Sequence, residues 1–380
     1  MYMDLPLTTE NYRHLFFNKD KLLEIKDELI SFCEDIEFLH SKDFPKEVLF
    51  PHELKNNNAI EGYYEDISSI IKIINNPCLK HFAPDKEYRR ILNLYDGYEF
   101  ILQENEINET NLYSLYQILS NNLLEKQELI KPNRLYRDDD VFIFFSDNIL
   151  IEPDKGFDEK NIDFHMKELF SYINMNNDNL DEVDLFFKSQ IIHFYMVFIH
   201  PYFDINGRTS RTTSLWFLNN HKAFPYTIFN RAITYDKKDY YRIIREVKRF
   251  KNITPFINFV ANGTKRELEK EYIIRNLEKN SGVNLSALDK QMLQYILTNN
   301  SQNTIIDIQN IYNRYNPKVK FNFINSELLQ PLFDYGILLK KDNTSRQIYS
   351  GEYNYRFGLN QDMLDVDEAK IKRLDIKKFI

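Results

Sequence analysis

Sixteen residues from Asp184 to Ile199 carry an almost unbroken apolar stretch, Leu185, Phe186, Phe187, Ile191, Ile192, Phe194, Tyr195, Met196, Val197, Phe198 and Ile199, interrupted only by Lys188, Ser189, Gln190 and His193. Such a run is too short and too interrupted for a membrane span, so it predicts a central helix buried on most sides. Whatever fold the chain adopts must wrap around it. Pro201 disfavours helical geometry at His200, so the helix should stop there and deliver the imidazole to the mouth of a loop. Asp204 to Gly207 make that loop, the Asn-Gly pair supplying turn geometry. A second helix should begin near Arg208 and run through Trp216 and Leu218, its unpaired first-turn amides facing back toward His200.

That arrangement is an anion site. Arg208 and Arg211, three residues apart, lie on one side of the second helix, where guanidinium forks add charge-assisted bonds to an anion held by the backbone amides. A polyphosphate suits such a site better than one carboxylate. Asp204 offers a hard oxygen beside it, suited to Mg²⁺ bridging phosphates. His200 has the pKa range to take a proton from an incoming hydroxyl. The spacing thus points to transfer of a phosphorus-centred group from a nucleotide to an alcohol. Singly, each residue also reads as scaffold: His-Pro as a helix stop, Asp-x-Asn-Gly as a turn, the arginines as surface ion pairs.

Taken together, His200, Asp204, Asn206, Gly207, Arg208 and Arg211 resemble the signature of the Fic (Fic/Doc) family, His-x-Phe-x-(Asp/Glu)-Gly-Asn-(Gly/Lys)-Arg with a second Arg three residues on. Tyr202 stands where the family usually has Phe, and Ile205 where it usually has Gly or Ala. The resemblance runs from about Lys55 to Asn262. Asn57-Asn58-Ala59-Ile60-Glu61-Gly62 looks like the family's inhibitory motif (Ser/Thr)-x-x-x-Glu-(Gly/Asn), in which the glutamate pairs with the second arginine, here Arg211, and Asn57 takes the position of a helix-capping hydroxyl.

Between Arg137 and Pro153, the runs Val141-Phe142-Ile143-Phe144-Phe145 and Ile149-Leu150-Ile151 flank Ser146-Asp147-Asn148, a predicted hairpin. By the resemblance it corresponds to the flap that aligns a target segment as an added strand. Tyr240 and Tyr241 fall where the family often has a tyrosine near adenine, Tyr241 being the candidate. The resemblance implies a protein adenylyltransferase moving AMP from ATP to a Ser, Thr or Tyr hydroxyl. In it His200 is the base, Asp204 the Mg²⁺ ligand, Asn206, Gly207, Arg208 and Arg211 the phosphate cradle, Glu61 the brake, and Val141, Phe142 and Ile143 part of the flap. Removal of AMP, transfer of another phosphate-containing group, and a non-catalytic regulator acting through the C-terminal module stay open as alternatives.

Only 9 Gly and 12 Pro in 380 residues, with long 3.6-periodic stretches, predict a mainly α chain. The expected organisation has three parts. Residues 1–110 form an N-terminal helical region carrying the inhibitory segment, with a loop at Pro45 to Asn58. Residues 111–280 form the Fic catalytic core, closed by a helix from Pro255 to Arg275. Residues 281–380 form a winged-helix domain, with helices at Ser286–Thr298, Thr304–Tyr315 and Asn322–Tyr335 and a wing at Gly336–Lys341 and Tyr353–Leu359. Its third helix exposes Glu327 and Asp334 without Lys or Arg, so docking or dimerisation is favoured there over DNA binding.

A net charge of -8 argues against broad nucleic-acid binding. Cys33 and Cys78 make neither a disulfide framework nor a zinc site, and no signal peptide or membrane span is expected, so a reducing cytoplasm is the expected compartment, and the resemblance implies a bacterial one. A protein substrate is implied, the chain itself among the candidates, and homo-oligomerisation stays open.

Overall fold

Asp181 starts the central helix: its carboxylate accepts from the backbone N–H groups of Val183 and Asp184 at 3.0 and 2.9 Å. The computed structural model describes residues 1–35, 46–76, 85–143, 153–222, 228–298, 303–304, 308–309, 320–342 and 355–360. In chain order the first elements are β1 (Tyr2–Thr8), β2 (His14–Asn18), α1 (Lys19–Asp35), α2 (Lys46–Ile60), α3 (Ile67–Ile74), α4 (Lys86–Gln103) and α5 (Glu109–Ser120). Then come β3 (Phe142–Ile143), β4 (Asp154–Lys155), α6 (Ile162–Ile173), α7 (Glu182–Ile199), α8 (Asn206–Asn220), α9 (Ile228–Tyr235), α10 (Lys237–Phe250), α11 (Thr254–Ser281) and α12 (Ala287–Thr298). The chain is mainly α with small antiparallel sheets. No helix among the described residues is long and apolar enough to cross a membrane.

The chain divides into two compact units, residues 1–62 with 70–265, and residues 63–69 with 266–380. The first is organised around α7, buried from Val183 through Ile199. Its polar interruptions are absorbed: the Lys188 ammonium donates to Asn177 Oδ1 at 2.6 Å and lies over the Tyr172 and Phe217 rings, while His193 Nε2 meets the Tyr240 hydroxyl at 3.0 Å. Helix α8 packs against α7, α4 and α5, its Trp216 indole donating to the Glu104 carbonyl at 2.6 Å.

Two stretches differ from the sequence expectation. The N-terminus, read as helical, begins with an antiparallel hairpin of β1 and β2, whose Leu5, Leu7 and Leu15 enter the core by strand alternation. The expected loop from Pro45 to Asn58 is instead helix α2, with Pro51 inside it. Pro51 is the sixth residue of that helix, past the first turn, so it costs a backbone bond to the carbonyl of residue 47, and tertiary packing of the buried Leu54, Ala59 and Ile60 holds the helix in spite of it.

The second unit has its own core from Leu277, Met292, Leu293, Ile296, Leu328, Leu332 and Leu359. Helix α12 is followed by β5 (Asn303–Thr304), a helical stretch over 321–334 whose Ile324–Leu329 portion has π pitch, β6 (Leu338–Asp342) and β7 (Tyr355–Leu359). The three strands form an antiparallel sheet ordered β5, β7, β6. Thr304, expected to open a helix, lies in β5, and residues 305–307 and 310–315 of that expected helix lie outside the described residues. The expected wing matches the β6–β7 pairing, with Leu338 opposite Leu359.

Candidate active site

Helix α7 ends as the sequence predicts, and His200 closes it in a left-handed conformation (φ 57°, ψ 63°) with its N–H on the Met196 carbonyl at 3.0 Å. The residue is partly exposed while its Nδ1 is enclosed. Burial pushes the imidazole pKa down to about 3; the Lys248 and Arg137 cations add to that, and the Val197 carbonyl and Glu61 oppose it. A neutral ring at ordinary pH can accept a proton.

From His200 the chain turns through Pro201–Ile205 into α8. Tyr202 is buried beneath the turn and stacked on Tyr116 with centroids 3.7 Å apart. Asn206 ties this turn to itself: its Oδ1 accepts from the Tyr202 N–H at 2.9 Å and its Nδ2 donates to the Tyr202 carbonyl at 2.8 Å. Both functions of that amide are therefore committed to shaping the loop. Asp204 is exposed, with Oδ1 accepting from the Ile205 N–H at 2.6 Å.

Ile205, one of the two residues that depart from the family pattern, buries its side chain in the core at 2 % exposure. Its cost is in the backbone, because φ is 66° at a β-branched residue. A left-handed non-glycine residue costs about 1–2 kcal/mol. We therefore expect an inverted order of stability at this position: Ile205→Ala loses the packing and keeps the strain, whereas Ile205→Gly loses the packing and relieves it. Denaturant unfolding should find the glycine variant more stable by about 1–2 kcal/mol, and an alanine variant at least as stable would show that the loop carries no such strain.

The first turn of α8 faces the end of α2. Glu53, Asn57 and Glu61 recur at intervals of four and so share one face of that helix and its C-terminal extension. Arg211 donates from Nε to Asn57 Oδ1 at 2.8 Å, and from Nη2 to the Asn57 carbonyl at 3.2 Å and to Glu61 Oε1 at 2.5 Å. Asn57 Nδ2 in turn donates to the Tyr98 hydroxyl at 3.0 Å. Asn57 therefore lies within α2 as a bridge between α4 and α8, not at a helix start as a cap. Glu53 is fully buried and accepts from Asn230 Nδ2 of α9; burial pushes its pKa up to about 8 against the opposing pull of Asn230, Arg231 and Arg211. At neutral pH it is a protonated anchor for the helix that carries Glu61.

Burial would raise the Glu61 pKa, but the Arg211 and Arg208 cations, with a weaker pull from Lys237, hold it below the ordinary carboxylate value. Correspondingly, burial would lower the pKa of Arg211, but Glu61, together with Tyr240 and Tyr241, raises it above the ordinary value. An ionised carboxylate thus sits on the first turn of α8, in the place an anionic ligand would use. Gly207 makes the fit possible: a Cβ there would collide with Glu61 Oε1 and stand 3.0 Å from Arg211 Nη1. Alanine favours helix over glycine by up to about 1 kcal/mol, yet Gly207→Ala should destabilise the chain by about 1–3 kcal/mol by displacing the Glu61 carboxylate from Arg211. Thermal unfolding gives the sign, and a stabilised alanine variant would refute the close contact.

Tyr241 donates to the Ile60 carbonyl at 3.3 Å, one residue before Glu61, and its ring faces the Lys237 ammonium at 5.9 Å. Of the flap candidates, Phe142 and Ile143 pair antiparallel with Lys155 and Asp154, and the Val141 carbonyl accepts from the Gly156 N–H at 3.0 Å. Phe142 is exposed. Residues 144–152, including the expected turn Ser146-Asp147-Asn148, lie outside the described residues.

Three neighbours of the site were not singled out from sequence. Arg137, buried, donates to the His200 carbonyl; Gly156 abuts the His200 Cβ; and the ammonium of Lys248 is enclosed near the Phe198 ring, with its pKa pushed down to about 8 by burial. An arginine before the acidic run Asp138–Asp140 reads as surface charge. Only the fold reveals that it points inward.

A buried helix ending in a left-handed histidine, an anion loop, and a second helix with two inward arginines define the core of a Fic-type domain. The chain carries a domain of the Fic/DOC family, matched over residues 106–218. Among curated relatives it is similar to "Protein adenylyltransferase Fic" of Nematostella vectensis, 27 % identical over 257 residues, which covers 66 % of this chain and 54 % of that protein. The chain therefore spans about half the length of that relative. A crystal structure of a Fic family protein from Desulfovibrio desulfuricans G20 shares the fold, with a TM-score of 0.56 and 16 % identity, covering 92 % of this chain and 98 % of that one.

Proposed function

We propose that this chain is a protein adenylyltransferase, transferring AMP from ATP to a hydroxyl of a protein, and that Glu61 restrains it at rest. The observation that carries the reading is the placement of the Glu61 carboxylate on the first turn of α8 against Arg211, six residues beyond a loop that begins at His200. In the active state the triphosphate takes the place of that carboxylate, with the α8 amides, Arg208 and Arg211 as its donors. The acceptor hydroxyl oxygen attacks the α-phosphorus, its proton passes to His200, the α–β phosphoanhydride bond breaks, and pyrophosphate leaves. Asn206 holds the loop on which this geometry depends, and Tyr241 flanks the nucleotide.

Magnesium fits the donor set. Asp204 offers an exposed carboxylate at the loop, and magnesium commonly takes one or two protein carboxylates together with phosphate oxygens and water. No cluster of three or more His, Cys, Asp or Glu suited to a metal occurs among the described residues. When bound, it would neutralise phosphate charge. The strand β3 (Phe142–Ile143), with Val141 before it and Phe142 exposed, would take a target segment as a neighbouring strand.

Intact-mass analysis of the chain and its Glu61→Gly variant after incubation with Mg²⁺ and ATP tests the reading. An AMP adduct that strengthens in the variant supports it. Absence of any adduct together with absence of ATP binding would overturn it.

A further inference from the structure

One guanidinium ties the flap to the base. Arg137 is 1 % exposed, and its donors go to backbone carbonyls: Nε to His200 at 2.8 Å, Nη1 to Asp139 at 2.6 Å, and Nη2 to Phe157. Its own N–H donates to the Pro201 carbonyl at 3.0 Å. Asp139 lies just before β3 and Phe157 just after β4, so these partners are the two feet of the β3–β4 hairpin and the turn that begins at His200. The Phe157 N–H adds a direct bond to the Ile199 carbonyl at 3.2 Å.

Gly156 allows this closeness, since a Cβ there would come within 2.8 Å of Arg137 Nη2, 2.8 Å of Val141 Cγ1 and 3.2 Å of His200 Cβ. His200 also needs support of this kind, because its left-handed backbone is costly for a residue with a side chain. Three carbonyls around one planar fork match a guanidinium and no ammonium.

We propose that Arg137 is a positioning residue that holds the flap strand in register with His200, so that an acceptor hydroxyl laid along the strand meets the imidazole. The inference rests on the adenylyl-transfer reading above and adds a residue to it. Water needs no strand to reach the α-phosphorus, whereas a hydroxyl presented by a protein does. Loss of the register therefore separates the two acceptors. A displacement of about 1 Å can cost a reaction on the order of 10²-fold.

The experiment compares Glu61→Gly with Glu61→Gly/Arg137→Lys, which keeps the buried charge and removes the fork. AMP incorporated into protein and AMP released by hydrolysis are measured from the same ATP reaction. Expected is a fall of at least about tenfold in the ratio of incorporation to hydrolysis, carried by kcat with the KM for ATP little changed. Equal loss of both reactions, or loss of neither, would overturn the proposal.

Amide hydrogen exchange on the two proteins supplies a readout independent of catalysis. The Arg137→Lys change should raise exchange together at Val141–Ile143, Gly156–Phe157 and His200, leaving α4 and α5 unchanged. Unchanged exchange at the hairpin feet would overturn the clamp even if no transfer were seen. A parent variant that binds no ATP would overturn the adenylyl-transfer reading separately.

Discussion

Replacing Glu61 with glycine is expected to raise AMP transfer by at least about tenfold while lowering the stability of the nucleotide-free chain. The activity gain follows from competition for Arg211 and the first turn of α8. Glu61 holds a charge-assisted bond to Arg211 at 2.5 Å, and such bonds contribute about 1.5–3 kcal/mol. With 1.4 kcal/mol to each factor of ten, removing the competitor frees the site by roughly 10- to 100-fold.

Stability moves the other way. Arg211 is 1 % exposed and would keep the Asn57 contacts but lose its counter-charge. Removing one member of a buried pair costs about 3–5 kcal/mol; the partial exposure of Glu61 lowers this to about 1–3 kcal/mol. Added ATP should then stabilise the variant more than the wild type, because the phosphates supply the missing anion. Glu61→Gln, which keeps the shape without the charge, should fall between them. Equal transfer rates in wild type and variant, with ATP bound by both, would dispose of the brake.

What the sequence disclosed divides by range. The end of α7 at His200 was legible because it depends on a local apolar run and on Pro201, and the anion loop because Asn206-Gly207 and the paired arginines sit within a few residues of each other. Glu61 and Arg211 lie 150 positions apart, and only resemblance to the Fic signature joined them before the fold did. Helix α2 was hidden by Pro51 and its polar Asn56-Asn57-Asn58 run, whose order comes from Tyr98, Arg211 and Thr234 on other elements. The direction of Ile205 could not be read either, since a branched apolar residue in a loop can face a ligand or the core, and packing decides. Arg137 left no trace in composition: its partners are carbonyls, which every residue has.

His200→Ala is expected to remove AMP transfer while leaving ATP binding near wild type. The imidazole lies across the loop from the Arg208–Arg211 donors, so its loss removes proton acceptance without removing the phosphate contacts. Proton transfer by a positioned base contributes about 10²–10⁴-fold. The variant should fall by at least that much in a Glu61→Gly background, where the parent rate is measurable. The pH behaviour makes the test sharper.

Because the native ring is depressed to about 3 from an ordinary value of 6.5, it stays neutral as pH falls, while the same ring in the unfolded chain takes up a proton below 6.5. Its contribution to native stability is therefore full above 6.5 and is lost progressively as pH drops toward 3. His200→Ala abolishes that loss. The Tm of the variant relative to wild type should rise as pH is lowered from about 7 to about 5, and the acid limb of transfer in the parent should begin below the ordinary histidine range. A Tm difference that stays constant across that interval would mean that His200 titrates normally, and a variant that also fails to bind ATP would recast the histidine as part of the loop's scaffold instead of its base.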